Sequence, residues 1–343
     1  MTCKLSESAN GHDNTGAADV TSARWAYGWR RREDMPVDGC RQHSAHEDGI
    51  GFELYDSFAT CRFGGNVAGV VVSATTIAPC LMQQIARELG APTTGFAHAG
   101  PGKPVTIRFF TPRQEIGACG HVTVAVATAL AERSIWRTGD GQVHAITPAG
   151  PLSISLRAAA TDISAPGTLL VGLAYQPRPL RPGSVRREAV EAALAMPTDP
   201  ARPIEMIGTG LRHLVVPAAA QQALARLAPS EAALDALAAS CGADTVCVFT
   251  RLGEHRVRMR DLCAPIGALE EPASGTTSAA LAAYLTWHAA ASGDAPITIE
   301  QGVEMGRPSR IEVHVQTRRG QTVATVWGSA IKTASGTIFL AGN

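Results

Sequence analysis

Cys119-Gly120-His121 and Ser274-Gly275-Thr276 stand 155 residues apart in the same local context. The segment Glu115-Ile-Gly-Ala-Cys119-Gly-His121 runs on to Leu130, its counterpart Glu270-Glu-Pro-Ala-Ser274-Gly-Thr276 runs on to Leu285, and six aligned positions are identical. Each copy is a loop ending in glycine that opens an apolar, uncharged stretch, which predicts a buried helix. Each helix start offers free backbone N–H groups and the positive end of the macrodipole. Two such ends brought together would clamp an anion such as a carboxylate. A pseudo-twofold relation between the halves would set Cys119 facing Ser274 across a cleft. A cysteine at a helix start beside a histidine is placed for a favoured thiolate, so Cys119 and His121 are candidate proton-transfer groups. The plainer reading is a pair of Ala-rich packing helices with small N-caps, which Ser274-Gly275 suits.

The surrounding sequence supplies elements to hold these loops. Phe52–Asp56, Ala68–Val72 and Val105–Phe110 read as strands, and Pro79–Leu89 as a helix with proline in its first turn and Gly90 as its stop. Gly120 to Glu132 and Gly275 to Trp287 read as the two buried helices. In the later half, strands are expected near Val246–Phe249, His255–Met259, Ile297–Gln301, Ile311–Gln316 and Val323–Trp327. Pro177–Gly183 reads as turns, and Arg186–Ala195 and Ser230–Ala239 as surface helices. The expected division is a poorly ordered extension over 1–49, a first lobe over 50–165 completed by a C-terminal strand at 334–343, and a second lobe over 166–333.

Composition removes several function classes. The 343 residues carry 30 basic and 30 acidic side chains, which excludes a strongly basic nucleic-acid binder or a polybasic membrane anchor. No apolar run approaches the roughly 18 residues of a membrane helix, and the chain start lacks a secretory pattern, so no membrane association and a cytoplasmic location are expected. The eight cysteines have irregular spacing without a C-x-x-C pair and read as thiols, mostly buried. Cys40, His43 and His46 have no fourth ligand at suitable spacing, so no metal is expected. Trp25, Tyr27 and Trp29 alternate before an arginine triplet, but the neutral charge balance argues against base stacking. Ser329-x-x-Lys332 lies in strand-like sequence and G-x-S-x-G is missing, which argues against a serine hydrolase. Neither a G-x-G-x-x-G nor a Walker loop occurs.

Several segments resemble the PhzF-like phenazine-biosynthesis isomerase family. They are Phe52–Phe58, Gly65-Asn66, Met82–Glu88, Arg108–Pro112, Cys119–His121, Glu270–Gly275 and Gln301–Ser309, in the family's order and spanning essentially everything but the first 50 residues. The resemblance implies an α+β, diaminopimelate epimerase-like fold of two pseudo-symmetric lobes, each a sheet wrapped around a central apolar helix. It also implies a cofactor-independent site between the lobes, a small carboxylic acid as substrate, and a homodimer. Where the family carries the glutamate that transfers the proton, this chain has Thr93, whose hydroxyl is no base near neutral pH. Where the family has Glu-Asp-Pro, this chain has Glu270-Glu271-Pro272, and the proline after Gly-Asn is Val67.

Cys119 matches the first catalytic thiol of the epimerase and racemase members, but the residue matching the second is Ser274, too weak as acid or base. One-base isomerisation or tautomerisation is therefore favoured over racemisation. On this reading the substrate carboxylate sits on the N–H groups around Gly120-His121 and Gly275-Thr276, and Cys119 or His121 takes the proton. Glu271 orients His121 or shuttles the proton on. Asn66, Thr93, Ser274 and Thr276 line the substrate. The expected activity is movement of a proton along a small cyclic unsaturated acid in secondary metabolism. The alternatives are a two-base epimerase or racemase of an amino or imino acid, and a non-catalytic acid-binding relative.

Overall fold

A computed structural model describes residues 49–100, 102–159, 168–181, 185–288 and 295–340. The extension before Gly49, with Cys40, His43, His46, Trp25, Tyr27 and Trp29, lies outside the described residues. The fold is α+β.

Strands follow one another in a continuous ladder. In the first half β1 (Ile50–Ser57), β2 (Asn66–Ser73), β3 (Thr93–His98), β4 (Val105–Phe110), β6 (Gln142–Thr147), β7 (Gly150–Ala158) and β8 (Leu169–Tyr175) pair in turn, with β5 (Glu115–Ile116) hung on β4. In the second half β9 (Arg178–Leu180), β10 (Glu205–Gly208), β11 (Arg212–Pro217), β12 (Thr245–Arg251), β13 (Arg256–Leu262), β15 (Ile297–Gln301), β16 (Ser309–Arg318) and β17 (Gln321–Gly328) do the same, with β14 (Glu270–Glu271) on β13. β8 pairs with β17 and joins the halves, while β18 (Ala330–Ile338) returns to the edge of β1. The parallel pairs fall at matching places, β2–β3 and β4–β6 against β11–β12 and β13–β15.

Each half curls around one helix, α2 (Gly120–Glu132) or α6 (Gly275–Trp287), whose bounds are those the apolar stretches predict. Both are apolar on every face, so both must be surrounded. Val122 to Leu130 of α2 are all buried, and one core cluster runs through both helices. Strand alternation supplies the inner and outer layers: Phe109 points to α2, whereas Phe110 points outward to α1 (Pro79–Leu89). In the second half Cys247 and Phe249 face α6, and Val246 and Val248 face α3 (Arg187–Leu194), α4 (Gln221–Ala225) and α5 (Glu231–Cys241). The helix α1 buries Leu81, Met82, Ile85 and Ala86 and ends at Gly90 in the left-handed conformation, as its spacing predicts.

The repeat extends to individual ion pairs. Arg108 binds Glu115 through two nitrogens at 2.7 Å each, and Arg260 binds Glu270 likewise at 3.0 and 2.6 Å. The residue closing each central helix meets a glutamate of an equivalent strand, Arg133 with Glu53 of β1 at 2.8 Å and His288 with Glu205 of β10 at 2.9 Å. Two expectations need correction. Arg178–Leu180, inside the stretch read as turns, is a short edge strand, where Pro179 sacrifices no inner ladder bond. Cys80, read as a thiol, is disulfide-bonded, whereas Cys61, Cys119, Cys241, Cys247 and Cys263 are thiols. Among the described residues no helix is long and apolar enough to cross a membrane.

Candidate active site

The starts of α2 and α6 meet at one side chain. A methyl built on Gly120 would come within 2.9 Å of the Tyr175 hydroxyl oxygen, and one built on Gly275 within 3.2 Å of it. Tyr175 ends β8, the strand that joins the halves, so its hydroxyl occupies the gap between two positive helix ends. Beside it opens a cleft of about 490 Å³, mouth included, walled by Cys119 and Gly120 from one half and by Thr209, Leu211 and Thr276 from the other. Most of the lining is apolar, the setting for a small organic molecule with one polar end.

Next to Cys119 lies a polar cluster built from both halves. Asn66, the first residue of β2, donates from Nδ2 to Glu271 Oε2 at 2.5 Å and to the Ala273 carbonyl at 3.1 Å. The same nitrogen lies 3.4 Å from His121 Nδ1, which is also 3.4 Å from Cys119 Sγ. Ser57, at the end of β1, fixes the helix start by donating to the His121 carbonyl at 2.6 Å, and in the second half Thr209 does the same to the Thr276 carbonyl at 3.2 Å.

The loop into Asn66 is braced by Arg307, inside the segment singled out as Gln301–Ser309. Its guanidinium reaches Asp56 Oδ1 at 2.7 Å and the Gly64 and Gly65 carbonyls at 2.8 and 2.9 Å. Gly65 turns there with φ of +57°, where a side chain would strike the Ser57 carbonyl.

Burial sets the protonation states. It pushes Glu271 up to about 7; the Asn66 hydrogen bond opposes the rise and the charge of Asp261 adds to it. Burial pushes His121 down to about 4, leaving a neutral imidazole. Burial likewise raises Cys119 to about 12, against N–H groups of the first helical turn and the Thr93 hydroxyl, which favour the thiolate. This reverses the expectation of an activated thiol: the helix end is real, but desolvation outweighs it. The carboxyl of Glu271 is the group poised near neutrality.

Of the residues singled out from the sequence, Asn66, Cys119, His121 and Glu271 come together, Thr93 touches Cys119 from β3, and Gly120, Gly275 and Thr276 stand at the two helix starts. Ser274 does not turn towards Cys119. Its hydroxyl accepts from the Thr277 N–H as the α6 N-cap and lies 2.9 Å from the Thr277 hydroxyl, the plainer reading of that residue. Sequence reasoning missed Tyr175, Thr209, His213, Asp261 and Arg307. For His213 and Asp261 a signal existed, polar residues where the repeat has apolar ones, but changing loop lengths hide the alignment outside the helices.

A family model described as "Phenazine biosynthesis-like protein" matches residues 55–336. The isomerase YddE of Escherichia coli K12, itself named as uncharacterized, is 30% identical over 292 residues, covering 80% of this chain and 94% of its own. The trans-2,3-dihydro-3-hydroxyanthranilate isomerase of Pseudomonas fluorescens is 29% identical over 294 residues, covering 84% of this chain and 99% of its own. Among solved structures, a phenazine biosynthesis protein of the PhzF family from Bacillus anthracis superposes with a TM-score of 0.75 at 23% identity, covering 85% of this chain and 99% of that one. A probable proline racemase from Agrobacterium radiobacter K84 superposes with a TM-score of 0.55 at 15% identity, covering 85% and 93%. These two likenesses bear on the fold.

Proposed function

Because the chain belongs to the phenazine biosynthesis-like family and is an isomerase, we propose that it moves a proton along a small cyclic unsaturated carboxylic acid, with Glu271 as the acid/base. The observation that carries this reading is the Glu271 carboxyl, hydrogen-bonded by Asn66 in the polar cluster with His121 and Cys119, of which Cys119 also walls the cleft; burial raises that carboxyl to about 7. The substrate carboxylate would rest on the N–H groups of Gly120 and His121 and of Gly275 and Thr276, which also stabilise the charge that spreads onto it as the proton leaves. Glu271 takes the proton α or γ to that carboxylate. Asn66 aims the carboxyl, and the neutral His121 ring stands between Asn66 and Cys119, its Nδ1 3.4 Å from Cys119 Sγ. Thr93 leaves its family position without a base, and Glu271 takes over that work here. A double-bond shift fits a planar acid in an apolar cleft, and secondary metabolism is the setting we infer from the P. fluorescens relative.

The test is proton NMR in deuterium oxide with trans-2,3-dihydro-3-hydroxyanthranilate and a panel of cyclohexadiene and pyrroline carboxylates. Deuterium entry or double-bond migration with the wild type, lost in Glu271→Gln, supports the reading. Tight binding of one acid without exchange would make the protein a binding-only relative.

A further inference from the structure

The two halves solve the same packing problem differently at three equivalent positions. Register and pairing set Ala68 opposite Thr93 where the second half has His213 opposite Thr245. They set Phe109 beside Ile116 where the second half has Asp261 beside Glu271. In the first turn of the central helix, Val122 is replaced by Thr277. All six residues are at most 1% exposed. The first half shows that the fold is content with Ala, Phe and Val here, whereas His, Asp and Thr carry a desolvation cost that packing does not require.

The three polar residues form a connected chain that ends at the cleft. Asp261 Oδ2 is 2.6 Å from Thr277 Oγ1, which is 3.2 Å from His213 Nδ1. His213 Nε2 is 2.8 Å from Thr209 Oγ1, and Thr209 is part of the cleft wall. Thr245 Oγ1 also reaches His213 Nδ1, at 2.8 Å, which keeps the neutral ring oriented with its other nitrogen towards Thr209. Among the described residues Asp261 Oδ1 is buried without a hydrogen-bond partner, an arrangement a neutral carboxyl tolerates far better than a carboxylate. Every member between the carboxyl and the cleft can both give and take a proton.

We propose that Asp261, Thr277, His213 and Thr209 form a proton relay that delivers a proton to the substrate from the second half's wall of the cleft, as the acid that complements Glu271. It rests on the reading of Glu271 as the proton acceptor. The Thr209 hydroxyl turns its hydrogen from the Thr276 carbonyl to the substrate carbon, gives up that proton and takes one from His213 Nε2. His213 Nδ1 takes the Thr277 proton, and Thr277 takes the proton of the Asp261 carboxyl. The substrate has lost a proton to Glu271 and gained one from Asp261; Glu271 then releases its proton to water, and water reloads Asp261 through the same chain. The titratable groups around the relay are Glu271, Cys247 and Cys263 about Asp261, and Asp244 beside His213. Burial lowers His213 to about 4, so the ring is neutral, and raises Asp261 to about 6, so at neutral pH the carboxyl holds its proton in a minority of molecules, the fraction in which the relay is loaded.

Two measurements test the relay. In deuterium oxide with the substrate panel, Thr209→Val and Asp261→Asn should lower kcat about 10²-fold with little change in KM. Exchange of the substrate's departing proton should persist in both, and Thr209→Ser should restore turnover. Full turnover in both variants, or loss of exchange together with turnover, overturns the relay. The second measurement needs no substrate: ¹⁵N-histidine NMR should show that Asp261→Asn and Thr277→Val each move the His213 titration, and a titration unchanged in both overturns the relay. If the wild type acts on no probe, the function proposed above fails, and the NMR result still decides the relay.

Discussion

Asn66 Nδ2 lies 2.5 Å from Glu271 Oε2, a hydrogen bond that ties the first residue of β2 to β14 of the other half. With its second N–H given to the Ala273 carbonyl, Asn66 fixes the carboxyl against the turn that opens α6. The donor favours the carboxylate, so the bond holds down a carboxyl that burial pushes up.

Removing that donor should move the acidic limb of the pH–rate profile. Leu211 sits at the equivalent place in the second half, so Asn66→Leu is a shape the fold accepts. Without the hydrogen bond Glu271 rises above about 7, and the fraction able to accept a proton at neutral pH falls. One unit of rise costs roughly fivefold in kcat/KM at pH 7 and approaches about tenfold at lower pH, recovered as pH climbs. A profile of unchanged midpoint would deny Glu271 its role.

The same carboxyl should make the wild type less stable in alkali than its amide variant. A group whose folded value is raised contributes stability that is complete below its unfolded value near 4.5 and is lost as pH rises through about 7. Glu271→Gln removes that loss. It should raise the unfolding free energy by about 1–3 kcal/mol above pH 8 and leave it little changed near pH 4. Thermal melts of both proteins across that range check the sign.

The repeat made much of this legible in advance. The helices at 120–132 and 275–287 were readable because an uncharged run of alanine and valine admits only burial on all sides, and Cys119, His121, Asn66 and Glu271 do meet. Tyr175 was not readable, because its importance comes from a strand pairing, β8 with β17, between residues about 150 apart. The repeat equates Ser274 with Cys119, but a serine before a helix has a local partner in the third N–H, and that wins. The state of the Cys119 thiol is hidden for a related reason, since a sequence reveals the helix end that favours the thiolate and conceals the burial that opposes it.

Alkylation should therefore find Cys119 slow. Burial holds the thiol protonated up to about 12, so its modification by iodoacetamide should rise steadily with pH through 10 without levelling. Cys61 is exposed, so the reaction has to be followed peptide by peptide. A plateau below pH 8 at Cys119 would restore it as an activated thiol. Cys119→Ala should keep most of the deuterium exchange that Glu271→Gln loses.

Arg307 should matter for stability and for the aim of Asn66 together. Its removal leaves the Asp56 carboxyl, 2% exposed as a residue, with the Phe63 N–H as its remaining donor, and frees the Gly64 and Gly65 carbonyls. Arg307→Ala should cost roughly 3 kcal/mol in denaturant unfolding. Arg307→Lys should recover less than half of it, since one ammonium cannot reproduce the fork that meets three oxygens.

The contact of Tyr175 with both helix starts gives the last prediction its form. An alanine in a helix is ordinarily better than glycine by roughly 0.5–1 kcal/mol, so Gly120→Ala would stabilise an open helix end. Here the new methyl meets the Tyr175 hydroxyl at 2.9 Å, and that side chain is only 9% exposed, with little room to retreat. The overpacking cost of about 1–3 kcal/mol should exceed the helical gain. Tyr175→Phe takes away the oxygen in conflict, so Gly120→Ala in that background should turn neutral or stabilising. The two changes should couple by about 1 kcal/mol or more in a double-mutant cycle. Gly275→Ala, whose methyl would stand 3.2 Å from the same oxygen, should show the same coupling more weakly. Strictly additive effects at both glycines would mean that the hydroxyl does not sit between the helix ends in solution.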